Sequence, residues 1–250
     1  MRYSLGSKYV LVTGGTSGIG RAIVHDLLQE GCTVVTFSRS GSLHVEDLLV
    51  TYARRFFVFR ADISTMPVAA ILAEALKYVP HIDILINNVG GGGRWGTSEF
   101  TTTPLATMEE VFNKNFSATV ELTHAVLPSM IQREWGRVLV ISSIYGKEAG
   151  GRPAFTVAKA AQIALMKSLS QSPLIGRANI TCNSIAPGVI RAGAWAGDEP
   201  SVVEISKTIP RGVIGDPYDV AHLVTFLCSS FARHITGACI PVDGGQSSSF

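Results

Sequence analysis

Charge is scarce in this sequence, and the two signs nearly cancel. The 250 residues include 21 Lys and Arg against 19 Asp and Glu, for a net charge of +2. So small a balance, with no basic run, argues against nucleic acid or an acidic membrane surface as a partner. No apolar stretch approaches the ~20 residues of a membrane span, and the first ten residues lack the apolar core and cleavage site of a signal peptide. We therefore expect a cytoplasmic protein that binds neither nucleic acid nor membrane.

Disulfide and metal-binding patterns are missing as well. The four cysteines, at positions 32, 182, 228 and 239, lie far apart and form no Cys-X-X-Cys pair. The six histidines show no spacing typical of metal ligands. Buried, reduced thiols are the favoured interpretation. We expect neither a disulfide nor a bound metal.

The most informative segment that is present is residues 8–20, KYVLVTGGTSGIG, where an apolar run gives way to three unevenly spaced glycines. This pattern predicts a strand, a tight turn and the start of a helix. Gly14 can adopt a positive φ, Gly18 lets the backbone approach a pyrophosphate, and Gly20 lets the helix pack closely on the strand. The N–H groups and dipole of the helix then face an anion. Glycine turns also follow strands without binding a ligand, so this predicted dinucleotide site needs support from other segments.

Strand-like and helix-like segments alternate along the rest of the chain. Apolar residues at helical spacing predict helices over 19–30, 43–54, 67–79, 105–114, 116–133, 153–170 and 217–229. Short apolar runs predict strands over 8–13, 32–37, 56–59, 82–86, 137–142, 180–185 and 239–242. This order predicts an α/β fold, a Rossmann-type doubly wound parallel sheet in a single domain over residues 1–250. A ligand crevice is then expected at the carboxyl ends of the strands.

Residues at two predicted strand ends indicate which dinucleotide fits. After the second strand, an acidic residue would hold the ribose 2′-hydroxyl of NAD, but this chain has Ser38 and Arg39. A hydroxyl and a guanidinium suit a 2′-phosphate, because arginine presents a fixed fork of donors to phosphate oxygens. Asp62 and Ile63, after the third strand, suit the amino group and the face of an adenine. These residues favour NADP(H), although an arginine on a surface loop is often simply solvated.

Motifs over nearly the whole chain resemble those of the short-chain dehydrogenase/reductase family. They lie at 13–20 (TGGTSGIG), Asp62, 87–90 (NNVG), Asn115, 141–143 (ISS), Lys159, 187–188 (PG), 209–227 and 235–245. Among subgroups, the chain looks most like the tetrameric ketoreductases similar to 3-oxoacyl-carrier-protein reductase. The resemblance implies an oxidoreductase that passes a hydride between NADP(H) and a carbonyl or alcohol carbon of a small molecule. It also implies a homotetramer whose main interface is formed by the predicted helices 116–133 and 153–170.

The resemblance further implies roles for individual residues. Ser143 would polarise the substrate oxygen, Lys159 would bind the ribose and lower the pKa of a tyrosine, and Asn115 would keep a water path to the lysine. Ser142 is the alternative to Ser143, but neighbouring strand residues point to opposite faces, so only one of the two reaches the cleft. The implied cofactor-binding residues are Gly14, Thr16, Ser17, Gly18, Ile19, Gly20, Ser38, Arg39, Asp62, Ile63, Asn88, Val89, Gly90, Lys159, Pro187, Gly188, Val189 and Ile190.

One catalytic position departs from the family pattern. Four residues before Lys159, where the family has its proton-donating tyrosine, this chain has Phe155 in PAFTVAKAA. At that spacing on a helix the two side chains share a face. Phenylalanine has no proton to donate, and loss of a general acid typically lowers a rate by ~10²- to 10⁴-fold. The family's usual chemistry is therefore open to question in this chain.

Four interpretations of Phe155 stay open. The first is that phenylalanine was introduced into an otherwise normal ketoreductase, and the second is that another donor, such as Tyr145 or an ordered water, replaces the tyrosine. The third is that the chemistry needs no such donor, either because the substrate is an iminium ion that already carries its proton or because the reaction is not a carbonyl reduction. Lastly, the chain could be a catalytically disabled NADP(H)-binding protein, which would bind NADPH tightly without oxidising it in the presence of ketones or imines.

Substrate-facing residues are expected in two loops, at about 90–103 and 188–212. Arg94 and Trp95 in the first loop and Trp195 in the second could pair with a carboxylate or stack on a ring, but such residues also serve surface packing. The family often has a threonine that binds the nicotinamide amide four residues after the glycine of 187–188. Ala192 occupies that position here. We expect the backbone around Val189 and Ile190 to hold the carboxamide instead.

Overall fold

The computed structural model describes residues 3–91, 97, 99–196 and 199–249, and within these ranges strands alternate with helices. The strands are β1 (Tyr9–Thr13), β2 (Thr33–Ser38), β3 (Phe56–Arg60), β4 (Ile84–Asn87), β5 (Gly136–Ile141), β6 (Ile180–Pro187) and β7 (Cys239–Val242). The helices are α1 (Gly18–Gln29), α2 (Glu46–Thr51), α3 (Val68–Ala75), α4 (Leu105–Phe112), α5 (Ala118–Gln132), α6 (Pro153–Ser170), α7 (Pro173–Arg177), α8 (Glu199–Ser206) and α9 (Pro217–Cys228).

The strands form one parallel sheet in the order β3-β2-β1-β4-β5-β6-β7. Val10 of β1 pairs with Val34 of β2 on one side and with Ile84 of β4 on the other. The direction of strand succession reverses between β1 and β4, which makes a crevice at their carboxyl ends. The predicted doubly wound sheet in a single α/β domain is confirmed.

Hydrophobic cores cover both faces of this sheet. Along β1, Val12 packs into the core with α1 and α9, whereas Leu11, one residue earlier, packs into the core with α3, α5 and α6. Successive strand residues point to opposite faces. Because both faces are buried, the central strands read as continuous apolar runs rather than alternating ones. This burial holds the strand ends in fixed positions around the crevice.

The predicted helices 105–114 and 116–133 form a single helical run in the structure. A π turn, Asn113–Ser117, joins α4 to α5 without a break. Within it, the side-chain amide of Asn115 donates to the Val111 carbonyl at 2.7 Å, an acceptor that a regular α-helix gives to the backbone N–H four residues later. The wider turn makes room for this side chain, and such turns are frequent at functional sites.

Two short helices were not predicted. After α6 ends, Pro173 starts α7, where its missing N–H is not needed in the first turn. The segment 188–212, expected to be irregular, contains α8, and Val202 on this helix packs with Ile209 and Ile214. The predicted helices 43–54 and 67–79 shorten to Glu46–Thr51 and Val68–Ala75.

Three further observations concern the described residues. No helix among them is long and apolar enough to cross a membrane. Their acidic, histidine and cysteine side chains form no group of three or more that could hold a metal ion. The four cysteines are unpaired, and burial raises the pKa of the Cys32 thiol to about 12.

Candidate active site

A cavity of about 1370 Å³ opens along the carboxyl ends of the central strands. The predicted site residues that line it are Gly14, Thr16, Ser17, Gly18, Ile19, Gly20, Ser38, Arg39, Asp62, Ile63, Asn88, Val89, Gly90, Ser143, Tyr145, Phe155, Gly188, Val189, Ile190 and Trp195. Asn115 and Lys159 are buried behind its wall, and Pro187 ends β6 beside it. Arg94 and Trp95 lie outside the described residues. The structure thus brings the predicted residues of six strand ends together around one space.

The glycine turn between β1 and α1 has the geometry of an anion cradle. Gly14 and Gly18 adopt positive φ, at 67° and 50°. A Cβ at Gly20 would lie 2.2 Å from the Gly14 carbonyl oxygen, so only glycine allows the helix to start here. Within the described structure, the Ser17 side chain makes no capping hydrogen bond to α1. The N–H groups of the first helical turn therefore remain available to a phosphate.

The loop after β4 is fastened to this turn. Thr13 Oγ1 accepts hydrogen bonds from the backbone N–H groups of Asn88 at 2.8 Å and Val89 at 2.7 Å. In return, the Asn88 side chain donates to the Thr13 carbonyl at 2.9 Å. These bonds join the ends of β1 and β4 at the point where the strand order reverses. The turn and the loop therefore form one rigid wall of the cavity.

Two cationic side chains line the end of the cavity near β2 and β3. One is the predicted Arg39, and the other is Lys114 in the π turn, which sequence reasoning missed. Burial, followed by the charge of Arg39, lowers the pKa of the Lys114 amine. Asp62 Oδ1 accepts from the backbone N–H and the hydroxyl of Ser64, at 3.0 and 2.6 Å, and these bonds lower the pKa of its carboxyl. The carboxylate is thus fixed in its charged form beside the two cations.

The opposite end of the cavity is lined by side chains that follow β5 and start α6. The Ser143 side chain faces the cavity, and its Oγ accepts from the backbone N–H of Tyr145 at 3.2 Å. Ser142 points the other way, and its hydroxyl donates to the Lys159 carbonyl at 2.9 Å. Of the two serines, Ser143 therefore lines the cavity, while Ser142 attaches α6 to the sheet.

Phe155 occupies the wall beside Ser143. Its ring centroid lies 5.6 Å from Lys159 Nζ. Tyr145 is the one tyrosine among the described residues that line the cavity. Its ring packs against the glycine backbone that follows, since a Cβ at Gly150 would lie 2.8 Å from it. The tyrosine is thus held by packing, next to a phenylalanine that cannot donate a proton.

Lys159 is almost fully buried, and no acidic side chain among the described residues pairs with it. Its Nζ donates to the Ile141 carbonyl at 2.9 Å and to Gln162 Oε1 at 3.1 Å. Burial lowers the pKa of the Lys159 amine to about 7. A Cβ at Gly90 would lie 2.9 Å from Nζ, so the amine lies directly beneath the Gly90 backbone at the cavity wall. The amine is therefore close to the cavity and able to change charge near neutral pH.

Asn115 fastens the π turn to the loop after β4. Its Oδ1 accepts from the Gly91 N–H at 3.1 Å, and its Nδ2 donates to the Gly91 carbonyl at 2.9 Å. The side chain is fully buried. Its amide therefore holds the loop by two hydrogen bonds in addition to the one inside the helix.

The segment after β6 differs from the sequence-based expectation at one point. The Val189 N–H, expected to hold a carboxamide, instead donates to Gln246 Oε1 at 3.0 Å, and the Val189 carbonyl accepts from Gly215 at 2.9 Å. Its backbone is thus engaged within the protein, and Gln246 joins the cavity lining. A Cβ at Gly18 would lie 3.0 Å from the Ala192 side chain, so this segment closes over the glycine turn. No motif pointed to Gln246, because it approaches from the far end of the chain.

The sheet order, the glycine turn and the lysine beneath the cavity define a Rossmann-type protein built to bind a dinucleotide. A family model described as enoyl-(acyl carrier protein) reductase matches residues 14–247. The chain belongs to the short-chain dehydrogenase/reductase family, whose members are oxidoreductases. The resemblance stated from the motifs is confirmed.

Individual relatives match this chain over nearly its whole length. The chain is 34% identical to the 3-oxoacyl-[acyl-carrier-protein] reductase FabG of Aquifex aeolicus (strain VF5), over 98% of this chain and 100% of that protein. The solved active-site complex of Pseudomonas aeruginosa RhlG with NADP superposes with a TM-score of 0.86 at 30% identity, over 98% of each chain. YwfH, an NADPH-dependent reductase involved in bacilysin biosynthesis, gives a TM-score of 0.86 at 26% identity, over 98% of this chain and all of that one.

Proposed function

We propose that the protein is an NADP(H)-dependent oxidoreductase that transfers a hydride between the nicotinamide and a carbonyl or alcohol carbon of a small molecule. The observation that carries this proposal is a single cavity that joins the uncapped start of α1 to Ser143 and Phe155. Two of the solved relatives described above are named for NADPH or NADP. Arg39 and Lys114 at one end of the cavity support the choice of NADP(H), because cations favour a 2′-phosphate.

The residues of the glycine turn fit such a cofactor. The N–H groups at the start of α1 would hold the pyrophosphate, and Gly20 lets the start of this helix pack against the Gly14 carbonyl. Arg39 and Lys114 would bind the 2′-phosphate, and the Lys159 amine would donate to the nicotinamide ribose. When bound, NADPH supplies the hydride.

Ser143 supplies polarisation at the reacting end. The Tyr145 N–H occupies one lone pair of its Oγ, so the hydroxyl hydrogen is free to point into the cavity. There it donates to the substrate oxygen and stabilises the negative charge that grows on it as hydride arrives. The proton itself does not come from position 155, since Phe155 has none to give.

Phe155 favours a second candidate, reduction of an imine that is bound in its protonated, iminium form. An iminium nitrogen already carries its positive charge, and hydride addition neutralises it without a proton donor. The cavity wall formed by Phe155 is apolar at the point where the family tyrosine would stand. A cation can also be attracted to the face of an aromatic ring.

The test is NADPH oxidation by this protein and by Phe155→Tyr, with panels of ketones and cyclic iminium ions. We expect Phe155→Tyr to raise ketone turnover by ~10²-fold or more and to leave iminium turnover unchanged, because only the ketone needs the proton. Phe231→Tyr, on an exposed ring that does not line the cavity, is the matched control. Tight NADPH binding by both proteins without any turnover would contradict the proposal and identify a catalytically disabled binding protein.

We further propose that the protein forms a homotetramer and works in the cytoplasm. Val157 on α6 is 57% exposed in the single chain, and Leu105 at the start of α4 is 74% exposed, which suits burial against another copy. The unpaired thiols suit a reducing compartment. Light scattering should give four times the chain mass of 26.6 kDa, and Val157→Glu should give a smaller species. A monomer at all concentrations would contradict the tetramer, and cell fractionation tests the location.

A further inference from the structure

Gln162 belongs to the buried polar network of the site, although no motif pointed to it. It lies on α6, three residues after Lys159, and its side chain is fully buried. Residues three apart on a helix share a face, so the two side chains meet. Burying an amide is unfavourable unless its hydrogen bonds are made. Both N–H donors and the carbonyl oxygen of this amide make hydrogen bonds.

The amide of Gln162 joins two parts of the site. Its Oε1 accepts from Lys159 Nζ at 3.1 Å. Its Nε2 donates to the Asn115 carbonyl at 2.9 Å and to Thr119 Oγ1 at 2.9 Å. The Thr119 hydroxyl donates its own hydrogen to the Asn115 carbonyl at 2.7 Å, so its oxygen is able to accept from Gln162. Only one orientation of the amide satisfies these partners, because the reverse would set Oε1 against a carbonyl and Nε2 against the amine.

Among the described residues, the groups that surround the Lys159 amine are uncharged. They comprise the Ile141 carbonyl from β5, the Phe155 ring and Gln162 from α6, the Gly90 backbone after β4, and Asn115 in the π turn. Two of these groups accept hydrogen bonds from Nζ. A protonated amine satisfies both acceptors and keeps a third hydrogen for a ligand. A neutral amine has no hydrogen left after the same two bonds.

We propose that Gln162 is a positioning residue for Lys159, whose amine it holds beneath the Gly90 backbone in the charged form that donates to the nucleotide. This inference rests on the proposed binding of NADP(H). An apolar side chain of the same size at position 162 would not accept a hydrogen bond from the Lys159 amine and would no longer hold it. A carboxylate at the same position would strengthen the charged form rather than remove it.

The test compares Gln162→Met and Gln162→Glu in the pH dependence of NADPH affinity. Methionine keeps the size and loses the acceptor, and glutamate adds a negative charge. Gln171→Met, on an exposed glutamine just after the same helix, is the matched control. Lys159→Met defines the profile without the amine. The phosphate of NADPH titrates at about pH 6 in every sample, so only differences between variants are interpreted.

The expected profile follows from the charge of the amine. Affinity of the unchanged protein should fall as pH rises through about 7, where Lys159 loses its proton. In Gln162→Met the midpoint should move to lower pH, and in Gln162→Glu it should move to higher pH by about one unit or more. Gln171→Met should keep the original midpoint, and Lys159→Met should lack this step.

Two results would overturn the inference. One is equal weakening of NADPH binding in both Gln162 variants with an unmoved midpoint, which is the signature of a purely structural role. The other is a pH step that survives in Lys159→Met, since the titrating group would then be another. If Gln162→Glu fails to fold by circular dichroism, the midpoint of Gln162→Met decides alone. Absence of NADPH binding in the unchanged protein would instead reject the proposed function.

Discussion

At one end of the cavity the wall is shaped by the backbone of the glycine turn, whereas at the other end it is lined by the side chains of Ser143 and Phe155. The first end keeps the glycines of the family pattern, with the positive φ of Gly14 and the close approach of Gly20 and Gly14. The second end departs from the pattern at Phe155. Backbone geometry depends on several residues at once, while proton chemistry depends on single side chains. The comparison suggests that nucleotide binding and catalytic chemistry can diverge separately within one cavity.

The largest effect on NADPH binding is expected at the glycine turn. Gly20→Ala places a Cβ 2.2 Å from the Gly14 carbonyl, a clash that only backbone movement relieves. Overpacking of this kind costs about 3 kcal/mol, which corresponds to ~100-fold weaker NADPH binding if the turn opens. Fluorescence titration with NADPH measures the loss. Gly176→Ala, where a Cβ meets nothing within 4 Å, is the control and should bind normally. Equal affinity in both variants would show that the turn does not hold the nucleotide.

A smaller and selective effect is expected from the two cations at the same end. Arg39→Met and Lys114→Met should each weaken NADPH binding by about tenfold and leave NADH binding nearly unchanged, because the two cofactors differ only in the 2′-phosphate. Parallel titrations with NADPH and NADH give the ratio directly. Arg233→Met, on an exposed arginine away from the cavity, serves as control. If a variant weakened NADH binding as much as NADPH binding, the replaced side chain would contact a group that the two cofactors share.

A third effect is expected on stability rather than on binding, at the other end of the cavity and without nucleotide. The pKa of Lys159 is about 7 in the folded chain against an ordinary value of 10.5, so between these values the unfolded chain holds one more proton. The free energy of unfolding contributed by this residue therefore rises with pH across that window. Lys159→Met lacks this contribution. The free energy of unfolding of the unchanged protein, relative to that of Lys159→Met, should therefore increase from pH 7 to pH 10. Urea unfolding at both pH values measures these free energies, and Lys167→Met is the control. A stability difference between the unchanged protein and Lys159→Met that does not vary with pH would contradict a buried, titrating amine.

The sequence predicts the sheet and the glycine turn well because both follow from local patterns. The apolar run that ends at Thr13, and the glycines after it, specify a strand, a turn and a helix within a few residues of one another. The π turn could not be predicted in this way. Helical periodicity continues on both sides of it, and the hydrogen bonds that tie its Asn115 side chain to Gly91 join residues 24 positions apart.

Only the site residues that belong to recognisable sequence motifs were predicted. Lys114, Gln162 and Gln246 were missed because each takes part through a tertiary contact. Gln246 meets Val189 across 57 positions, and Gln162 meets the Asn115 carbonyl across 47. A buried glutamine on a helix face that also carries a lysine was the one signal available. It is an unusual residue for a core position, since its amide must find partners there.

The central claim is that NADPH lies in this cavity with its nicotinamide ribose within reach of the Lys159 amine. Isothermal titration of NADPH into the unchanged protein, Lys159→Met and Lys167→Met tests it directly. We predict saturable binding to the unchanged protein and to Lys167→Met, and at least tenfold weaker binding to Lys159→Met at pH 6.5. No heat with NADPH in the unchanged protein, or equal affinity in all three proteins, would contradict the account.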